Sequence, residues 1–152
     1  MDFELCSSVP HSVPGSCIPV LSELLKCFII HSTFCSTQQR VALTTENPEK
    51  CTILRLLSDM YSQSQKRYWC LARKQIRHNG QEKNVSINLL NLHVGQSVGL
   101  LVTRDGDLHL FVNGKRRELV WNGLPTDQPL WGVADVYGNC VKIKADILCG
   151  KW

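Results

Sequence analysis

No Cys-x-x-Cys pair occurs in the 152 residues, although the chain holds eight cysteines, and no Cys–His pair has zinc-finger or RING spacing. Cys6, Cys17, Cys27, Cys35, Cys51, Cys70, Cys140 and Cys149 are irregularly spread. The sequence also has no Gly-rich phosphate loop, no G-x-S-x-G elbow and no His-Glu metal motif. His11, His31, His78, His93 and His109 are dispersed and join no array with Ser, Cys or Asp. These absences predict a non-enzymatic chain with no catalytic, cofactor-binding or metal-ligating residues. No apolar run reaches the roughly 18 clean residues of a membrane helix. The most apolar stretch, 18–35, is interrupted by Glu23, Lys26 and His31. Asp2 and Glu4 stand where a signal peptide carries positive charge. The expectation is therefore a cytoplasmic protein with reduced thiols, in which the sequon at Asn84–Ser86 is chance.

What is present is an ordinary globular composition, 43% hydrophobic and 20% charged, long enough for one domain. The formal charge of +4 is uneven. Residues 1–65 hold four Lys/Arg against six Asp/Glu, and residues 66–152 hold thirteen against seven. A basic second half suits an acidic partner, a phosphate or a membrane surface, and it equally suits a solvated β surface.

Residues 1–17, with Pro10 and Pro14, read as a loose lead-in. In 19–31 the residues Leu21, Leu24, Leu25, Phe28 and Ile29 have helical spacing behind Pro19, although 28–34 would also suit a strand. From Arg40 the pattern becomes β-like. Residues 40–45 and 67–72 are strand-prone, with helical character around 53–61 between them. Asn79-Gly80 marks a turn. Residues 98–104 and 107–113 flank Asp105-Gly106 and predict a hairpin with a type I′ turn, with Leu108, Leu110 and Val112 on one face. Asn113-Gly114 and Asn122-Gly123 are further turns around a strand at 118–121. Strands at 130–137 and 140–148 are joined at Gly138-Asn139, the second alternating apolar and polar residues. With no long helix between strands, a parallel α/β sheet is excluded in favour of an antiparallel meander.

Several of these segments, in order, resemble the neuralized homology repeat: 42–50 (ALTTENPEK), Tyr68-Trp69, the 77–80 turn, 89–100 (LLNLHVGQSVGL), 103–114 (TRDGDLHLFVNG), 122–125 (NGLP) and 130–138 (LWGVADVYG). The resemblance covers 41–148 and implies a mainly β, antiparallel sandwich of SPRY-like or jelly-roll-like form, matching the second half of the repeat. It leaves 1–17 as lead-in, 18–40 as a non-matching apolar segment with helical spacing, and 149–152 as a tail. Residues 1–40 do not resemble the family's opening strands, and three arrangements stay open. Residues 18–35 fill the gap by another packing, the chain is a truncated or spliced product, or a second molecule supplies the missing half as a homo-oligomer.

The resemblance further implies a non-enzymatic protein–protein interaction module, binding ubiquitin-ligase components or their substrates. The family's C-terminal RING has no counterpart here. Two rival readings are a splice fragment without independent activity and a nucleic-acid binder using the basic second half, though no RNP, KH or zinc pattern supports the latter. Rigid sheets present binding residues on their loops. The candidate partner-binding residues are therefore Asn79, Gly80, Asp105, Gly106, Asn113, Lys115, Arg116, Arg117, Asn122 and Asp127. Lys115-Arg116-Arg117 reads as a basic knuckle after a tight turn, suited to an acidic peptide or phosphate. Trp69, Trp121 and Trp131 read as core residues, and Asp135 as a structural cap.

Overall fold

The computed structural model describes residues 2–11, 16–20, 25–32, 40–47, 50, 52–62, 65–92, 95–135 and 143–151. Twelve strands among them form two six-stranded sheets. They are β1 (Asp2–His11), β2 (Ser16–Val20), β3 (Leu25–Ser32), β4 (Arg40–Thr44), β5 (Tyr68–Ala72), β6 (Gln75–His78), β7 (Gln81–Asn84), β8 (Ser97–Val102), β9 (Leu108–Val112), β10 (Lys115–Trp121), β11 (Leu130–Asp135) and β12 (Ile143–Lys151). The first sheet runs β1-β12-β3-β8-β9-β10 and the second β2-β11-β4-β5-β6-β7. Every neighbouring pair is antiparallel, as the period-two patterning requires. Among the described residues the one α-helix, α1 (Ile53–Tyr61), is capped by the Thr52 hydroxyl, which accepts from Arg55 N–H at 3.2 Å.

The core lies between the sheets. Val41 and Leu43 of β4, Trp69 and Leu71 of β5 and Ile76 of β6 meet Val98, Leu100, Leu108, Leu110 and Val120 of the first sheet. Each fully buried leucine contributes on the order of 1.5–3 kcal/mol. Alternate residues of the second sheet face outward, where Ala42, Tyr68 and Cys70 are covered by Met60 of α1 and pack with Val133. Cys70 is buried and its sulfur is in no disulfide. At the sandwich's open side, Lys83 of β7 lies 4.0 Å from the Trp121 ring centroid, and Ser86 N–H donates to the Glu118 carboxylate. These contacts tie the edge strand of one sheet to the edge strand of the other.

Several expectations are corrected. The helical spacing of 19–31 does not yield a helix in the residues described: β2 reaches Val20, β3 starts at Leu25 and pairs with both β12 and β8, and Leu21 and Leu24 lie outside the described residues. Two partner ladders outweigh the intrinsic preference of a short, β-branched and aromatic run. The lead-in 1–17 contains β1 and the start of β2, and β12 continues to Lys151, where a tail was expected. These strands come from this chain, and among the described residues β1 and β3 join the first sheet and β2 the second. The strands expected to join at Gly138-Asn139 do not pair, because β11 and β12 belong to opposite sheets; the connection itself lies outside the described residues. The Asp105-Gly106 turn is not type I′. Only Gly106 has positive φ (85°), with Gly106 N–H on Thr103 C=O at 3.0 Å and Thr103 N–H on Asp107 C=O at 2.9 Å. That is a longer hairpin loop ending in a glycine bulge.

Candidate functional site

The two Asn-Gly turns take the backbone their composition dictates. Asn79 and Gly80 have φ of 49° and 77°, and Asn113 and Gly114 have 52° and 77°, as a two-residue type I′ turn needs. They lie at opposite ends of the sandwich. The β8–β9 turn at Gly106 and the β9–β10 turn at Asn113 cap opposite ends of the same strand, β9. The position of Asn79-Gly80 follows from the contacts of β7 and β10. Lys83 meets Trp121 and Ser86 meets Glu118, so β7 followed back towards its turn approaches the Gly106 end.

At that end the β10–β11 loop is fastened to the β8–β9 turn. Leu124 N–H donates to Gly106 C=O at 3.0 Å, and the Thr126 hydroxyl donates to Arg104 C=O at 3.1 Å. Asn79 N–H donates to Gln65 C=O at 3.2 Å, joining its turn to the segment after α1. Beneath these loops His78 stacks on Trp69 (centroids 4.3 Å apart, planes 9° apart) and meets Trp121 edge-on at 5.7 Å. Its Nδ1–H donates to Tyr68 C=O at 2.9 Å. An aromatic stack with a fixed imidazole thus supports a rim on which Asn79, Gly80, Asp105, Asn122 and Asp127 are exposed.

The structure therefore brings together six of the ten candidate residues, Asn79, Gly80, Asp105, Gly106, Asn122 and Asp127, and sets the other four apart. Gly106 is buried and positions the loop rather than presenting it. Asn113 is a capping residue: its Oδ1 accepts from Ser97 N–H, and its own N–H donates to Ser97 C=O, both at 3.0 Å. Lys115, Arg116 and Arg117 are exposed, but they form the start of β10 rather than a knuckle beyond the turn, and the register shifts between Arg116 and Glu118. Trp69 and Trp121 are core residues as expected, while Trp131 is half-buried; the side chain of Asp135 lies outside the described residues. Leu124 and Thr126, which lock the loops, were missed by sequence reasoning. The Asn122–Pro125 motif, which contains Leu124, marked the loop without showing what it touches.

Arg116 Nε–H donates to His109 Nδ1 at 3.0 Å, so the imidazole must be neutral to accept. Burial first, and then the Arg116 guanidinium, hold His109 below its ordinary 6.5, with Asp107 opposing. The unfolded chain therefore takes up this proton first. The contribution to stability is present above pH 6.5 and is lost as the pH falls through the folded value. Arg116→Ala is expected to move the His109 titration up towards 6.5, read from imidazole NMR shifts. A titration that stays in place refutes the assignment.

Two antiparallel sheets with hairpin loops fastened together at one end define a β-sandwich domain. A sequence profile of the Neuralized family matches residues 31–145, well over half the chain, and the chain belongs to that family of protein-interaction modules. Among solved structures, the NHR domain of Drosophila melanogaster Neuralized is 17% identical over 91% of this chain and 90% of that one, with a TM-score of 0.54. The SPRY domain of human HERC1 is 15% identical over 99% and 83%, with a TM-score of 0.51. Sheep galectin-11 is 11% identical over 90% and 98%, also at 0.51. These likenesses show the β-sandwich fold.

Proposed function

We propose that this chain selects the protein bound in a cytoplasmic ubiquitin-ligase pathway, gripping an exposed segment of that protein at the Gly106 end. The observation that carries the reading is the fastening of the β10–β11 loop to the β8–β9 turn. A rim held by backbone hydrogen bonds loses little freedom on binding, so contact energy is not consumed in ordering loops. Asp105, Asn122 and Asp127 supply acceptors and donors for a peptide backbone or basic side chain, and the flanking turns hold them in place. Ubiquitin transfer itself would fall to a partner ligase.

Affinity capture from cytosolic extract tests this. Wild type is expected to recover ubiquitin-ligase components or their substrates. A variant carrying Asp105→Ala, Asn122→Ala and Asp127→Ala should lose about tenfold or more, the scale of a central contact. A Lys115→Ala, Arg116→Ala, Arg117→Ala variant should retain the partner. Equal recovery by the loop variant, or none by folded wild type, refutes the proposal.

A further inference from the structure

The outer face of the second sheet carries a cavity of about 540 Å³ at the other end of the molecule, lined by Arg40, Tyr61, Arg73, Lys74, Gln75, Arg77, Asn88 and two apolar neighbours. Four of its lining residues are cations and none is a carboxylate. Arg77 is paired with Glu82 at 2.8 Å, whereas Arg73 and Lys74 form no ion pair among the described residues. Like charges gathered in a concavity raise each other's energy and attract a counter-charge. We propose that this cavity binds a phosphorylated segment of a partner protein, with the phosphate seated among Arg40, Arg73 and Lys74.

Three features show a built site rather than a chance gathering of surface charge. First, Arg73 holds φ of 54°, a left-handed conformation that glycine adopts freely and arginine does not. The two-residue turn between β5 and β6 is nevertheless clamped: Arg73 C=O accepts from Leu89 N–H at 2.8 Å and Lys74 C=O from Val85 N–H at 2.9 Å. A side chain is thus kept where the backbone alone would favour none. Second, the Arg40 guanidinium lies 3.9 Å from the Tyr61 ring centroid, which orients its planar fork and suits bidentate contact with phosphate oxygens. Third, Gln75 uses its Nε2–H on Asn84 (3.3 Å) and Asn88 uses its Oδ1 on Leu90 N–H (3.1 Å). Each retains the opposite function, an acceptor and a donor, to pair with a peptide group beside the phosphate.

The same features disfavour other carriers of phosphate. The one aromatic ring of the cavity is covered by Arg40, so no platform remains for stacking bases. Among the described residues the exposed large apolar side chains are Leu119, on the other sheet, and Tyr61, whose ring Arg40 covers.

Fluorescence anisotropy on the full chain tests the inference, using degenerate peptides centred on phosphoserine, phosphothreonine or phosphotyrosine beside their unphosphorylated copies. At least one phosphorylated library is expected to bind about tenfold tighter than its copy, the scale of a charge-assisted pair. Arg73→Gly and Lys74→Gln should each weaken it by about tenfold. Arg73→Gly should melt at or above the wild-type temperature, because it relieves the backbone while removing the cation. The Lys115, Arg116 and Arg117 triple variant should bind as wild type. No phosphate preference, or an equal loss in that triple variant, overturns the proposal. Tighter, Arg73-dependent binding of phosphoinositide vesicles or of a single-stranded oligonucleotide overturns the assignment to a protein segment. Failure of the Gly106-end reading would show only in the Asp105, Asn122 and Asp127 variant, leaving these measurements unchanged.

Discussion

Replacing Trp69 by alanine is expected to lower the unfolding free energy by about 3–5 kcal/mol, the range for deleting a buried indole. Trp69 is 4% exposed and lies in the inter-sheet cluster with Leu71, Leu100 and Leu110. It also carries the His78 ring at 4.3 Å, so its loss undermines the support of the proposed recognition loops as well as the core. Trp69→Phe should cost much less, about 1.5 kcal/mol or under. The indole Nε1 is buried without a hydrogen-bond partner among the described residues, so phenylalanine removes a desolvated donor along with some packing. Urea unfolding followed by circular dichroism measures both. A phenylalanine variant as damaged as the alanine one would show that the N–H has a partner after all.

The second large effect is expected at Gly106, where alanine should cost about 3 kcal/mol, from left-handed strain and a backbone collision together. Its φ is 85°, and a Cβ there would lie 2.5 Å from Leu124 O and 3.1 Å from Leu124 N. Neither atom can yield without breaking the Leu124 N–H to Gly106 C=O bond that locks the loops. Gly114→Ala is the control. Its φ of 77° imposes similar strain, but nothing lies within 4 Å of the added Cβ, so about 1 kcal/mol is expected. Denaturation midpoints at equal slope separate the two. Equal costs would mean that the β8–β9 turn and the β10–β11 loop are not pressed together.

Much of the sandwich was legible because its signals are local. Asn79-Gly80 and Asn113-Gly114 specify two-residue turns through their tolerance of positive φ, and the alternation at Leu108, Leu110 and Val112 declares the buried face of β9. Asp105-Gly106 was misjudged because the dipeptide alone does not say whether Asp105 joins Gly106 in the left-handed region; the Thr103–Asp107 bonding decides that. The stretch containing β2 and β3 was the least legible. Its helical spacing and its β-branched, aromatic content pull in opposite directions, and only ladders to distant strands choose between them. Of the site, the turns could be found but not their grouping, since the loops that meet at Gly106 are separated by tens of residues. Arg73, Lys74 and Arg77 are close in sequence, but Arg40 and Tyr61, which complete the hollow, are not, so no collective signal was legible.

The sequence by itself determined that this chain would be antiparallel β, where its tight turns would fall, which side of several strands would be buried, and its kinship with the neuralized repeat. The first three rest on a period or a dipeptide read within a few residues, and the kinship on a resemblance of several motifs in order along 41–148. Tertiary structure alone decided which sheet each strand enters, which loops stand side by side, and that Arg40 lines one hollow with the distant Arg73, Lys74 and Arg77. Those outcomes depend on hydrogen-bond pairing between remote segments, for which backbone groups are chemically alike in every residue and the local text carries no address.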